Sequence, residues 1–113
     1  MTLGVTILSC ALAVGTCHPS ADPASRLYAV RVTAPPGSGV RLSALDVPRD
    51  WIASFCTPRV CSPFHVVLPV RTGLATIQIS YVPANAQTSP LRALHVAARA
   101  NGARSDARRT VAP

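Results

Sequence analysis

Cys56-Thr-Pro-Arg-Val-Cys61, followed by His65, is the densest group of reactive side chains in this sequence. Two cysteines this close, with Pro58 between them, suit a disulfide that staples a small loop, worth roughly 2 kcal/mol by the chain-entropy estimate. Read as metal ligands, Cys56, Cys61 and His65 would take His18 or His95 as a fourth, but the second ligand pair usual in zinc sites is missing. Thiol redox chemistry favours C-x-x-C, a spacing absent here. The cysteine spacing therefore predicts a structural disulfide between Cys56 and Cys61, with no metal and no cofactor.

Acid–base and nucleophilic catalysis find little to work with. The 113 residues include four Asp, no Glu and three His, against eleven Arg and no Lys, a formal net charge of +7. No pair stands out as general acid and base, and Pro36-Gly-Ser-Gly39 is a turn rather than a G-x-S-x-G nucleophile elbow. His65 and His95 fall on solvent faces of predicted strands, and Asp46 and Asp50 flank Pro48-Arg49 as turn or cap residues. A protein that is not an enzyme is expected.

The positive charge admits nucleic acid, anionic lipid or an acidic protein as partner. Binding to single-stranded nucleic acid favours exposed aromatics on a basic surface. Aromatic residues are only 4% of this chain, and Trp51, Phe55, Phe64 and Tyr81 suit a core. No nucleic-acid partner is expected. Arg26, Arg31, Arg41, Arg49, Arg59, Arg71 and Arg92 are dispersed, about one to each strand or loop. Arg99, Arg104, Arg108 and Arg109 gather near the C-terminus as an electrostatic contact patch for acidic protein or anionic headgroups. Arginine without lysine, beside abundant Ala, Pro and Val, is also what a GC-rich genome produces, so placement says more than total charge.

Leu3–Thr16 is uncharged and mostly apolar. As a helix it would span about 21 Å, short of a bilayer core of about 30 Å. Its length suits the h-region of a secretory signal, although only Met1 and Thr2 stand where a basic n-region belongs. Residues 1–17 are accordingly expected to be a signal peptide, a lipoprotein signal or a membrane anchor, with Cys17 the candidate lipidation site. An ordinary apolar strand is the remaining reading of this run. The Pro-rich residues 18–25 are expected to be a polar tether.

From Arg26 onward apolar residues recur with period two, the strand signature. Tyr28, Val30 and Val32 alternate with Ala29 and Arg31, and Val40, Leu42 and Ala44 with Arg41 and Ser43. Trp51, Ala53 and Phe55 follow, then Phe64, Val66, Leu68 and Val70, in which Pro69 requires a sheet edge or strand end. Ala75, Ile77, Ile79 and Tyr81 give the cleanest alternation. Leu94, Val96 and Ala98 come next, with a helix over 91–100 as the alternative. Asn101-Gly102 predicts a hairpin turn and a returning strand over 103–111. Six or seven short strands at this spacing predict an all-β, antiparallel sandwich over residues 26–113.

Residues 47–82, VPRDWIASFCTPRVCSPFHVVLPVRTGLATIQISYV, resemble a stretch of bacterial secreted and cell-surface immunoglobulin-like domains. There Pro–x–x–Trp leads into an aromatic-Cys, a short loop and a second Cys, then a Gly and a strand closed by Pro. Pro48, Trp51, Phe55, Cys56, Cys61, Gly73, Ile77, Ile79 and Pro83 occupy those positions, and residues 91–98 are similar to the closing strands. The resemblance implies an immunoglobulin-like β-sandwich outside the cytoplasm, in the periplasm or at the cell surface. Such domains serve as adhesion modules, spacers and complex subunits. The expected function is protein–protein contact as an extrinsic accessory subunit of a membrane-associated complex. The alternatives are an adhesion or glycan-binding module, which needs an exposed Trp51, and a small periplasmic metal or redox protein.

Overall fold

A computed structural model describes residues 2–20, 22–86 and 88–111. Among them are nine strands: β1 (Gly4–Ser9), β2 (Arg26–Thr33), β3 (Ser38–Leu45), β4 (Trp51–Cys56), β5 (Cys61–Pro63), β6 (His65–Val70), β7 (Leu74–Pro83), β8 (Ala93–Ala100) and β9 (Ala103–Thr110). All pairings are antiparallel, in a five-stranded sheet ordered β1-β2-β7-β4-β5 and a four-stranded sheet ordered β6-β3-β8-β9. The only helical element among the described residues is a 3-10 turn at Cys10–Leu12. The Ala-rich stretch read alternatively as helix is thus strand β8.

Period-two patterning decides which side chains meet. Val30 and Val32 of β2, Ile77, Ile79 and Tyr81 of β7 and Phe55 of β4 point to one side. Val40 and Leu42 of β3 and Leu94, Val96 and Ala98 of β8 answer them from the other sheet in one core. Burying each large aliphatic or aromatic side chain is worth about 1.5–3 kcal/mol. Trp51 belongs to this core, and its indole N–H donates to the Ser89 carbonyl at 2.8 Å. The Tyr81 hydroxyl is buried with no hydrogen-bond partner, and burial pushes its pKa well above the ordinary tyrosine value.

Three local features shape the path of the chain. Asn101 (φ 52°) and Gly102 (φ 78°) are both left-handed, as a two-residue hairpin between β8 and β9 requires. Pro69 lies on β6, which pairs only with β3 and so is an edge strand, where a missing N–H is tolerated. The chain changes sheets at Phe64, a bulky residue held at φ 64°. Its N–H donates to the Ala53 carbonyl of β4 at 2.9 Å, and its carbonyl accepts from the Ala44 N–H of β3 at 2.8 Å. One residue thus bonds to both sheets.

One expectation needs correction. The six or seven predicted strands are nine among the described residues, because β5 and β1 are added. Within residues 1–17, read as a signal, an anchor or an ordinary apolar strand, β1 pairs with β2 over six rungs, from Gly4↔Thr33 to Ser9↔Tyr28, and Ile7 is a core residue. Ile7 faces the core, and on the opposite face Leu8, beside Ala29, is half-buried while Thr6 is exposed. The expected tether also contributes to a strap. Cys10 and Cys17 form a disulfide, and beyond it the His18 N–H donates to Gln78 Oε1 at 2.9 Å while Gln78 Nε2 donates to the His18 carbonyl at 3.2 Å. Ala13 of the strap and Ala29, Gln78 and Ser80 of the sheet are buried.

Candidate functional site

The opposite outer face, on the four-stranded sheet, has no disulfide-closed strap over it among the described residues. Register places Arg41 of β3 directly across from Arg99 of β8, and Arg99 directly across from Arg104 of β9. Val67 of β6 is the next partner of Arg41. Four strands therefore contribute one row, Val67–Arg41–Arg99–Arg104, with every member exposed. Like charges directly opposite one another weaken a sheet. The three guanidinium groups border an open depression of about 650 Å³, whose rim includes Gly39 and the Asn101–Gly102 turn.

Behind the row lies a chain of polar contacts anchored on His95. Its Nδ1 is 2.8 Å from Asp46 Oδ2 and its Nε2 is 2.8 Å from Asp106 Oδ2. Both contacts are complete hydrogen bonds only when each ring nitrogen carries a proton, because an ionised carboxylate only accepts. Arg104 donates to the same Asp106, from Nε at 2.8 Å and from Nη2 at 3.0 Å. The Arg104 guanidinium foremost, then His95, holds the Asp106 carboxyl well below the usual carboxylate range. Asp46 is lowered chiefly by its hydrogen bond to His95, against a smaller opposing effect of burial. The outcome for His95 differs from the surface histidine expected: its side chain is on the outer face, yet these neighbours bury it to 8% exposure.

The expected patch of Arg99, Arg104, Arg108 and Arg109 is not one surface. Alternate residues of a strand face opposite ways, so Arg104, Asp106 and Arg108 share the outer face while Arg109 turns inward. Arg108 lies across from His95, beyond Asp106 from the row. Arg109 Nη1 donates to the Ile7 carbonyl of β1 at 3.2 Å, and its guanidinium carbon lies 5.5 Å from the centroid of the Tyr28 ring. It closes the side of the sandwich where β9 and β1 meet. Arg41, one of the arginines that look dispersed along the chain, takes its place in the row.

The remaining candidates are spread over the molecule. Cys56 and Cys61 are bonded to each other across the β4–β5 pair, which leaves neither sulfur free as a thiolate ligand. His65 is exposed on β6, and His18 holds Gln78 through its backbone. No group of three or more His, Cys, Asp or Glu is placed to hold a metal among the described residues. The Cys17 sulfur is occupied by the bond to Cys10. Trp51, at 6% exposure, offers no platform to a sugar. No helix among the described residues is long and apolar enough to cross a membrane. The chain matches no protein-family model and no curated protein.

Proposed function

We propose that this chain is an immunoglobulin-like domain working outside the cytoplasm, without catalysis, as an accessory subunit that contacts a protein of a membrane-associated assembly. Strand order supports the fold assignment. An immunoglobulin constant-type sandwich orders its sheets A-B-E-D and C-F-G. Here β1-β2-β7-β4 and β3-β8-β9 reproduce that order in the same chain sequence, with β5 and β6 inserted between the fourth and fifth strands. The correspondence needs β1 as its first strand, which favours retention of residues 4–9 over cleavage or acylation at Cys17. Neither β2 nor β8 contains the cysteine of the antibody inter-sheet bridge. The two disulfides suit an oxidising compartment.

The observation that carries the function is the pairing of an open basic face with closed sheet edges. β1 and β9 are tied together by Arg109, and the two free edges, β5 and β6, each contain a proline, Pro63 and Pro69. Strand addition is disfavoured at such edges, so contact falls to the arginine face. The test is replacement of Arg41 and Arg99 by glutamate, followed by sizing of the native membrane fraction in mild detergent. The parent chain should migrate within a larger assembly and the variant as a free monomer with both disulfides intact. A parent chain that already migrates alone would end this reading.

A further inference from the structure

Building on that reading, we propose that the depression bordered by Arg41, Arg99 and Arg104 is a carboxylate-binding site for an extended acidic segment of the partner protein. Within the row the chain pairs only Arg104, through Asp106, and leaves Arg41 and Arg99 unpaired among the described residues. It has four carboxylate side chains, all aspartate, and each is engaged within the fold. Asp22 accepts from the Ala24 N–H at 2.9 Å within a turn. Asp50 accepts from the Ser89 N–H, which lowers its pKa. Asp46 is bound to His95, and Asp106 is shared between His95 and Arg104. Among the described residues, Arg41 and Arg99 make no ion pair. Two uncompensated guanidinium groups thus stand directly opposite one another, at a cost to the sheet that nothing among the described residues offsets.

The geometry of the third arginine points to a carboxylate ligand. Asp106 occupies Arg104 Nε and Nη2, fixing the planar fork in one orientation and leaving Nη1 without a carboxylate partner among the described residues. Asp106 is held in turn by His95, and His95 by Asp46, so the fork is oriented before any ligand arrives. Arginine forks match carboxylates two bonds at a time, and an oriented fork loses less entropy on binding. Neighbouring strands lie about 4.8 Å apart, so the row from Arg41 to Arg104 spans roughly 10 Å at the backbone. Same-side residues of an extended peptide repeat about every 6.8 Å, which brings two or three acidic side chains within reach of the three forks.

Protein is favoured over other polyanions by what surrounds the row. Among the described residues, no aromatic ring borders the depression for stacking on sugars or bases. Val67 is the only large apolar side chain among them at its rim, which gives little to insert into a bilayer.

The full disulfide-bonded chain would be titrated with a fluorescent peptide alternating glutamate and serine. The comparison ligands are its glutamine counterpart, a heparin fragment of equal charge and phosphatidylglycerol vesicles. The glutamate peptide should bind tightest and the glutamine peptide not at all. Arg41→Gln and Arg99→Gln should each weaken binding about tenfold, the loss expected for one charge-assisted contact. Arg31→Gln with Arg59→Gln removes twice the charge of either single variant elsewhere on the surface and should change affinity less than twofold. Equal losses in that control pair, tighter binding of heparin or vesicles, or no binding of the glutamate peptide would overturn the proposal. If Arg41→Glu with Arg99→Glu still frees the chain from its assembly while the peptide fails, the subunit reading survives and the acidic-segment site does not. Peptide binding by a chain that migrates alone would keep the carboxylate site and end the subunit reading.

Discussion

The two outer faces of this sandwich have had opposite fates. On the five-stranded sheet, the row Leu8–Ala29–Gln78–Cys56 lies beneath or beside the disulfide-closed strap, with Ala29 at 0% and Gln78 at 4% exposure. On the four-stranded sheet, the row Val67–Arg41–Arg99–Arg104 is open to solvent. The covered row carries no charge, and Gln78 contributes two hydrogen bonds to the strap. The open row repeats one charge with a single carboxylate near it. Stability governs the first and works against the second: a buried amide must be bonded, whereas like charges directly opposite one another weaken a sheet.

This contrast predicts a ranking of effects. The largest concerns the strap. Replacing Cys10 and Cys17 together by serine should cost about 2–3 kcal/mol, the value of closing a short loop. Amides of residues 10–18 should lose exchange protection while β8 and β9 keep theirs; equal loss on both faces would deny that the strap is a local cover. Next comes a group belonging to neither face. Tyr81→Phe removes an unpartnered buried hydroxyl and should raise stability by about 1 kcal/mol in chemical denaturation. A loss instead would mean that the hydroxyl has a partner.

Arg99→Thr relieves repulsion on the open face and should add a few tenths of a kcal/mol, about the scale of one cross-strand pair, while weakening partner binding. A destabilised Arg99→Thr protein would make the row structural and erase the contrast. The smallest effect at neutral pH appears only in acid. Asp46, Asp50 and Asp106 titrate below their ordinary values in the folded chain. The stability they contribute is complete above the unfolded carboxylate pKa of about 3.9 and is lost as pH falls through the lowered folded values. Denaturation midpoints measured from pH 6 downward should stay flat on this account until about pH 5 and then fall. Replacing Asp106 by asparagine should make that fall shallower.

Much of the fold was legible because its signals are local. Alternation located β2, β3, β4, β6, β7 and β8, Asn101-Gly102 located the last hairpin and with it β9, and Pro69 marked an edge. The Cys56–Cys61 spacing identified the bond that joins β4 to β5. β1 was obscured because its outer-facing Gly4, Thr6 and Leu8 carry no charge, so alternation is weak and the run has the composition of a signal sequence. The arginine site was half legible. The hairpin turn fixes Arg99 opposite Arg104, and strand parity alone would have excluded Arg109. Arg41 joins them only through the pairing of β3 with β8, whose residues lie far apart in the chain, and no local pattern encodes that.

The contact between β1 and β9 bears on how the domain would carry load. Thr2 and Leu3 border a recess with Ala103 and Arg104, whereas Ile7 meets Arg109, so the two strands run side by side in the same direction. The beginning of β1 and the end of β9 therefore lie at opposite ends of the sandwich. Tension applied between those points would slide β1 along its own axis. Its six rungs with β2 would then be strained simultaneously rather than peeled one by one, which is the geometry of a shear clamp.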